Sequence, residues 1–172
     1  MMPKLLLLRH AKSDWHSGAR TDFERPLNAR GREAAEAMGA FMAAEGLAPD
    51  LVLCSPSKRT RETLELVAKS LQLPEDVRFP EMLYEENGGD YQTVLRDEAG
   101  KAECCLLVGH NPMTYEAALS LSGDGASHDM ARLAVKYPSG TLSILEFDAP
   151  WAELKTGSGR LTGYVRPADL TS

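Results

Sequence analysis

Short, unbroken apolar runs alternate along this chain with longer stretches whose apolar positions return every three or four residues. Residues 4–8 form the first run, four leucines after a lysine, which suits a strand covered on both faces within a mostly parallel sheet. Asn28 then offers a helix cap, Ala34, Met38 and Phe41 keep helical spacing, and Gly46 supplies a left-handed stop, so residues 29–45 read as an amphipathic helix. A second run at 51–54 leads through Ser55-Pro56-Ser57 into a helix reaching residue 71, with Lys58/Glu62 and Arg61/Glu65 spaced to pair at i, i+4. Pro74, Pro80 and the Gly88-Gly89 pair then mark a short strand from Val77 and an irregular loop, followed by a short helix at 91–97. The third run, 104–108, ends in Gly109-His110-Asn111-Pro112 before a helix at 113–122. After a polar loop, 133–137 and 141–147 read as strands across a Pro138-Ser139-Gly140 turn, and 161–165 as another.

Strands alternating with helices predict an α/β fold, a three-layer α/β/α sandwich around a mostly parallel central sheet, which takes up ligands in the crevice at the strands' carboxyl ends. A length of 172 residues without repeat, linker or low-complexity tract predicts one domain spanning residues 1–172. The net charge of -6 excludes a nonspecific nucleic-acid coat or an anionic membrane surface as partner, so any anion site must be local. The leucine run is too short for a signal peptide or a membrane span. Cys54, Cys104 and Cys105 lie inside apolar runs and read as buried thiols of a reducing compartment, and no Cys or His spacing suits zinc. The expectation is a cytoplasmic protein without metal or cofactor. Gly157 to Gly163 has the wrong glycine spacing for a dinucleotide loop, and His128 has no second ligand at metal spacing.

The crevice rule singles out Arg9-His10, the turn from Ser55 to Arg59, and Gly109-His110-Asn111. Arg9, His10, Arg59 and His110 thus stand at strand-to-helix junctions on one edge, far apart in sequence. Guanidinium forks and helix-start N–H groups bind phosphate oxygens, so their convergence predicts a phosphate pocket. Taken singly, each has a structural explanation, and Arg59 is spaced to pair with Glu62 on its own helix.

Four segments in order carry a family resemblance. They are Leu5 to Ala11 (strand, then Arg-His-Ala where the family has Arg-His-Gly), Arg25-Pro26-Leu27 with Gly31, the Ser-Pro-x-x-Arg-x-x-x-Thr element at Ser55 to Thr63, and Val108-Gly109-His110-Asn111-Pro112. With these the chain resembles the histidine phosphatase superfamily, which includes phosphoglycerate mutase, and within it the SixA-like phosphohistidine phosphatases.

The resemblance implies a phosphoglycerate mutase-like fold, no cofactor, His10 as nucleophile, and Arg9, Arg59 and His110 around the transferring phosphoryl group, with Ser13 as a further substrate-binding residue. The chemistry agrees, because two guanidinium groups and a second imidazole neutralise the equatorial oxygens and push His10 towards its neutral form. Mutase-like members use a loop Glu as general acid; Leu83-Tyr84-Glu85 with Gly89 matches that pattern in part, so Glu85 is either that acid or a solvated charge beside Glu86. Those members also carry Ser-x-Trp-Asn after the nucleophile, and here His16 stands at the Asn place in Ser13-Asp14-Trp15-His16. His16 and Lys12 either face the pocket or are loop groups in water. The length leaves little room for a cap, which implies an open pocket and favours phosphohistidine on a partner protein as substrate. Two other readings stay open: a small-molecule phosphomonoesterase relying on Glu85, and a phosphoprotein-binding module in which the methyl of Ala11 crowds the phosphate.

Overall fold

The computed structural model describes residues 2–84 and 90–171. Its elements in chain order are β1 (Lys4–Arg9), α1 (Ala29–Ala44), β2 (Leu51–Cys54), α2 (Lys58–Val67), β3 (Val77–Arg78), α3 (Tyr91–Glu98), β4 (Cys104–Gly109), α4 (Met113–Leu121), β5 (Ser122–Gly125), α5 (Ser127–Val135), β6 (Leu142–Phe147), β7 (Gly159–Val165) and α6 (Pro167–Leu170). The strands form one sheet in the order β3-β2-β4-β1-β6-β7-β5. β3, β2, β4 and β1 run parallel, while β6 is antiparallel to both β1 and β7.

The leucine run explains why this sheet is covered twice. Successive strand side chains point to opposite faces, so Leu5 and Leu7 enter one core with Leu51, Leu53, Cys105 and Leu107. Leu6 and Leu8 enter the other with Val52, Cys54, Leu106 and Val108. Tyr91, Val94 and Leu95 of α3 and Ala117, Ala118 and Leu121 of α4 close the first. Met38 and Met42 of α1 and Leu64 and Val67 of α2 close the second. The three-layer expectation holds.

Register then places the chemistry. β1 pairs with β4 from Lys4↔Cys104 to Arg9↔Gly109, and β2 with β4 up to Cys54↔Val108. The residues that follow these strands, His10, Ser55 and His110, therefore leave the sheet side by side at its carboxyl edge. Asn28 caps α1 as expected, its side chain accepting from Gly31 N–H at 2.8 Å, and Gly46 has φ +69° beyond the helix end.

Four expectations need correction. Residues 133–137 are not a strand, because α5 runs through Val135. Met130 and Leu133, at i, i+3 on α5, meet the core, whereas Val135, which a strand would have buried with Leu133, is 74% exposed. The expected polar loop contains β5, an edge strand parallel to β7 with exposed Gly123 and Asp124, so it has no apolar alternation to betray it. α2 stops at Val67, and Glu62, expected to pair with Lys58, accepts instead from Leu27 N–H at 2.9 Å and faces Arg32 at 3.6 Å.

Candidate active site

His10 is held by its backbone before its ring is considered. Its N–H donates to Gly109 O at 3.0 Å and its carbonyl accepts from Gly140 N–H at 2.9 Å, so the residue is fixed between the end of β4 and the turn before β6. Ring Nδ1 lies 2.7 Å from Ala11 O. A carbonyl only accepts, so Nδ1 carries the hydrogen and Nε2 keeps its lone pair. Burial pushes the imidazole pKa well below its usual 6.5, against the hydrogen bond to Ala11, and the charges of His110, Arg59 and Arg9 push the same way as burial. The ring is thus a neutral base in the near-neutral range.

The motif threonine explains how α2 is tied to this loop. Ala11 N–H donates to Thr63 Oγ1 at 3.0 Å, and that hydroxyl donates to Arg59 O at 2.8 Å. Arg59, in the first turn of α2, is 2% exposed. Its Nη1 donates to Asp22 O at 2.8 Å and its Nη2 to Asp22 Oδ2 at 3.0 Å. Arg59 therefore pairs with Asp22 and not with Glu62. Arg9 donates from Nη1 to Tyr137 O at 2.9 Å. Arg25, of the Arg-Pro-Leu segment, reaches Ser13 Oγ and Asp22 Oδ1, and its guanidinium lies 3.6 Å from the centroid of the Trp15 ring.

His110 begins the β4–α4 connection. Its N–H donates to Tyr91 Oη at 2.9 Å, and Tyr91 in turn donates to Leu83 O at 2.8 Å. Its Nε2 stands 2.7 Å from Ser55 Oγ, and its ring centroid is 5.4 Å from that of His10. Burial, with Arg59 beside it, lowers its pKa to about 3.

Arg9, His10, Ser13, Arg25 and Arg59 line an open cavity of about 390 Å³ at the carboxyl edge of the sheet. The structure brings together the four residues expected to converge, with His110 packed beside the His10 ring rather than lining that cavity. Ser13 is buried in its wall, and Lys12 is exposed at its rim. His16 is exposed and does not line it, its N–H donating to Asp14 Oδ1 within its own turn. Glu85 lies outside the described residues. Among the described residues, Arg9 Nε, Arg25 Nε, Arg59 Nε and His110 Nδ1 are buried without a partner. Buried donors without acceptors are costly, and the three arginines that line the cavity bring such N–H groups to the wall where an anion's oxygens would accept.

Sequence reading missed Asp22, Ser55 as the partner of His110, and Tyr84, whose hydroxyl donates to Asp22 Oδ2 at 2.8 Å. Asp22 did carry a signal, its i, i+3 spacing to Arg25.

A model of the histidine phosphatase superfamily, branch 1, matches residues 5–104. The chain belongs to that superfamily. An uncharacterized protein of Mycobacterium tuberculosis is 32% identical over 163 residues, covering 93% of this chain and 99% of the relative. Among solved structures, a candidate phosphohistidine phosphatase SixA from Nakamurella multipartitia superposes with a TM-score of 0.82 at 28% identity, covering 97% of each chain. Its counterpart from Agrobacterium tumefaciens gives 0.77 at 26% identity, covering 96% of this chain and 98% of that one. The superfamily's phosphoglycerate mutase-like fold accounts for the carboxyl-edge position of the histidine pair. Among the described residues no helix is long and apolar enough to cross a membrane.

Proposed function

We propose that residues 1–172 act as one metal-independent phosphatase domain that works through a phosphohistidine at His10 and removes phosphate from phosphohistidine on a partner protein. The observation that carries this reading is the His10 ring itself: Nδ1 is committed to Ala11 O, so Nε2 is the available nucleophile, with guanidinium groups around it.

In the first step Nε2 attacks phosphorus in line, the bond from phosphorus to the leaving atom breaks, and Arg9, Arg59 and His110 take up charge on the equatorial oxygens. Water then attacks the phosphohistidine, the bond between phosphorus and Nε2 breaks, and inorganic phosphate leaves. A departing imidazole, with a conjugate acid near 6.5, needs little acid assistance, whereas an alkoxide needs much more. The phosphohistidine substrate therefore does not depend on Glu85. The cleft also suits a protein-borne group: Lys12 and Ser139 line both the catalytic cavity and an adjoining groove of about 650 Å³ between α1 and α6. The methyl of Ala11 packs with Leu27 and Ala35 and does not line the cavity, which argues against a module that binds without turnover. Three buried, unpaired thiols fit a reducing compartment such as the cytoplasm.

Rapid mixing with a phosphohistidine protein or phosphoramidate is expected to give an acid-labile burst of label on His10 that is absent in His10→Ala. Turnover of both substrates should survive Glu85→Gln. Absence of label, or activity confined to alkyl phosphates and lost in Glu85→Gln, would overturn the reading.

A further inference from the structure

Asp22 takes no part in the steps above, yet its carboxylate stands among the pocket's cations. Oδ1 accepts from Arg25 Nη2 at 2.8 Å, and Oδ2 accepts from Arg59 Nη2 at 3.0 Å and Tyr84 Oη at 2.8 Å. Its backbone carbonyl accepts from Arg59 Nη1 at 2.8 Å, so Asp22 holds the Arg59 fork at both terminal nitrogens. It also lines the same cavity as His10.

This placement has two consequences. The first is orientation: with its terminal nitrogens anchored on Asp22, the nearly buried Arg59 keeps one geometry, and its Nε remains without a partner. The second is charge. Arg9, Lys12, Arg25 and Arg59 supply four positive charges to the cavity wall, and Asp22 supplies the opposing negative one. With that negative charge removed, the same cations would hold inorganic phosphate more tightly. Burial pushes the Asp22 carboxyl up, but the hydrogen bonds from Arg25 and Tyr84 and the charge of Arg59 outweigh it and hold the pKa at about 2. Asp22 is thus a fixed charge at neutral pH and not a proton donor.

We propose that Asp22 is a positioning residue that orients Arg59 and trims the pocket's charge so that product phosphate is released instead of trapped. The proposal rests on the reading of this cavity as the phosphoryl site. It also has a sign that a merely structural role lacks. Loss of a scaffold would disorder Arg59 and weaken anion binding, whereas removal of a repelling charge strengthens it. At the effective dielectric of a partly exposed site, one unit charge beside a dianion shifts its affinity by about tenfold.

The test is inhibition by inorganic phosphate at fixed pH and ionic strength. Asp22→Asn is expected to lower Ki for phosphate by about tenfold and to lower kcat without raising KM. Asp22→Glu should return Ki towards the wild-type value. Glu24→Gln removes an exposed carboxylate from the same turn and should leave Ki within about twofold. Asp22→Ser replaces Asp22→Asn should the latter fail to fold. Weaker or unchanged phosphate binding in the neutral variants overturns the proposal, as does equal tightening in Glu24→Gln. If wild-type protein does not bind phosphate, or binds it equally well after Arg59→Ala, the reading of the cavity as a phosphoryl site falls first.

Discussion

Ser55 offers a measurable handle on His110, because the two meet at a single short contact. Ser55 Oγ lies 2.7 Å from His110 Nε2, and Ser55 is fully buried. The next hydroxyl, Ser57 Oγ, is 3.5 Å from the same nitrogen and is already engaged with Thr60 Oγ1 at 2.7 Å. Ser55→Ala therefore leaves a buried imidazole nitrogen without a close partner. An unsatisfied buried polar atom costs about 1–3 kcal/mol, while the volume lost is a single oxygen and adds little. The urea midpoint should fall by the corresponding amount with an unchanged m-value, so that the loss is one of stability and not of compactness. The same contact fixes the ring's tautomer and rotation. If Ser55 donates to Nε2, then Nδ1, which has no partner among the described residues, carries a hydrogen and is the group that meets a phosphoryl oxygen. Losing about 1.4–2.8 kcal/mol of that transition-state contact slows labelling of His10 by about 10- to 100-fold, with kcat falling and KM little changed. The assay pairs urea unfolding with rapid-mix labelling. A labelling rate within about twofold of wild type, alongside an unmoved midpoint, would refute the idea that Ser55 orients His110. A fallen midpoint with full labelling would make His110 a structural group.

Two further outcomes follow from burial and packing. His10 and His110 are neutral in the fold, with His10 well below 6.5 and His110 at about 3, whereas both bind a proton in the unfolded chain below about 6.5. The unfolded state then holds more protons, so stability falls on acidification, starting near pH 6.5 and steepening towards about 2.7 kcal/mol per pH unit; urea midpoints from pH 7 to pH 5 check this, and a slope that does not drop in His110→Gln would contradict it. A Cβ at Gly31 would run into the Lys12 carbonyl oxygen, which already accepts from Asn28 N–H at 3.0 Å. Gly31→Ala must therefore push α1 away from the loop that carries His10, lowering Tm by about 4–8 °C together with activity, and an unshifted melting curve would show that the helix yields freely.

What the sequence discloses follows a physical division. β1, β2 and β4 were legible because each is a short apolar run ended by a polar residue, and strands buried on both faces leave that mark. Arg9, His10, Arg59 and His110 were legible for the same reason: their meaning comes from standing just beyond those runs. β5 and α5 were not, because an edge strand of Ser, Gly and Asp has no apolar period, and the short α5 stripe of Met130 and Leu133 runs into a strand-like Leu133-Val135-Tyr137 alternation. Asp22, the role of Ser55 as partner of His110, and Tyr84 were hidden differently. All three are ordinary loop residues by type, and their partners are chosen by the fold across 37, 55 and 62 residues of chain. The residues that carry charge to the phosphoryl group can be read from position along a strand, whereas those that hold that charge still can be read only from contact. A chain that kept the four legible residues but lost Asp22 or Tyr84 would display the same four motif segments while holding Arg59 differently.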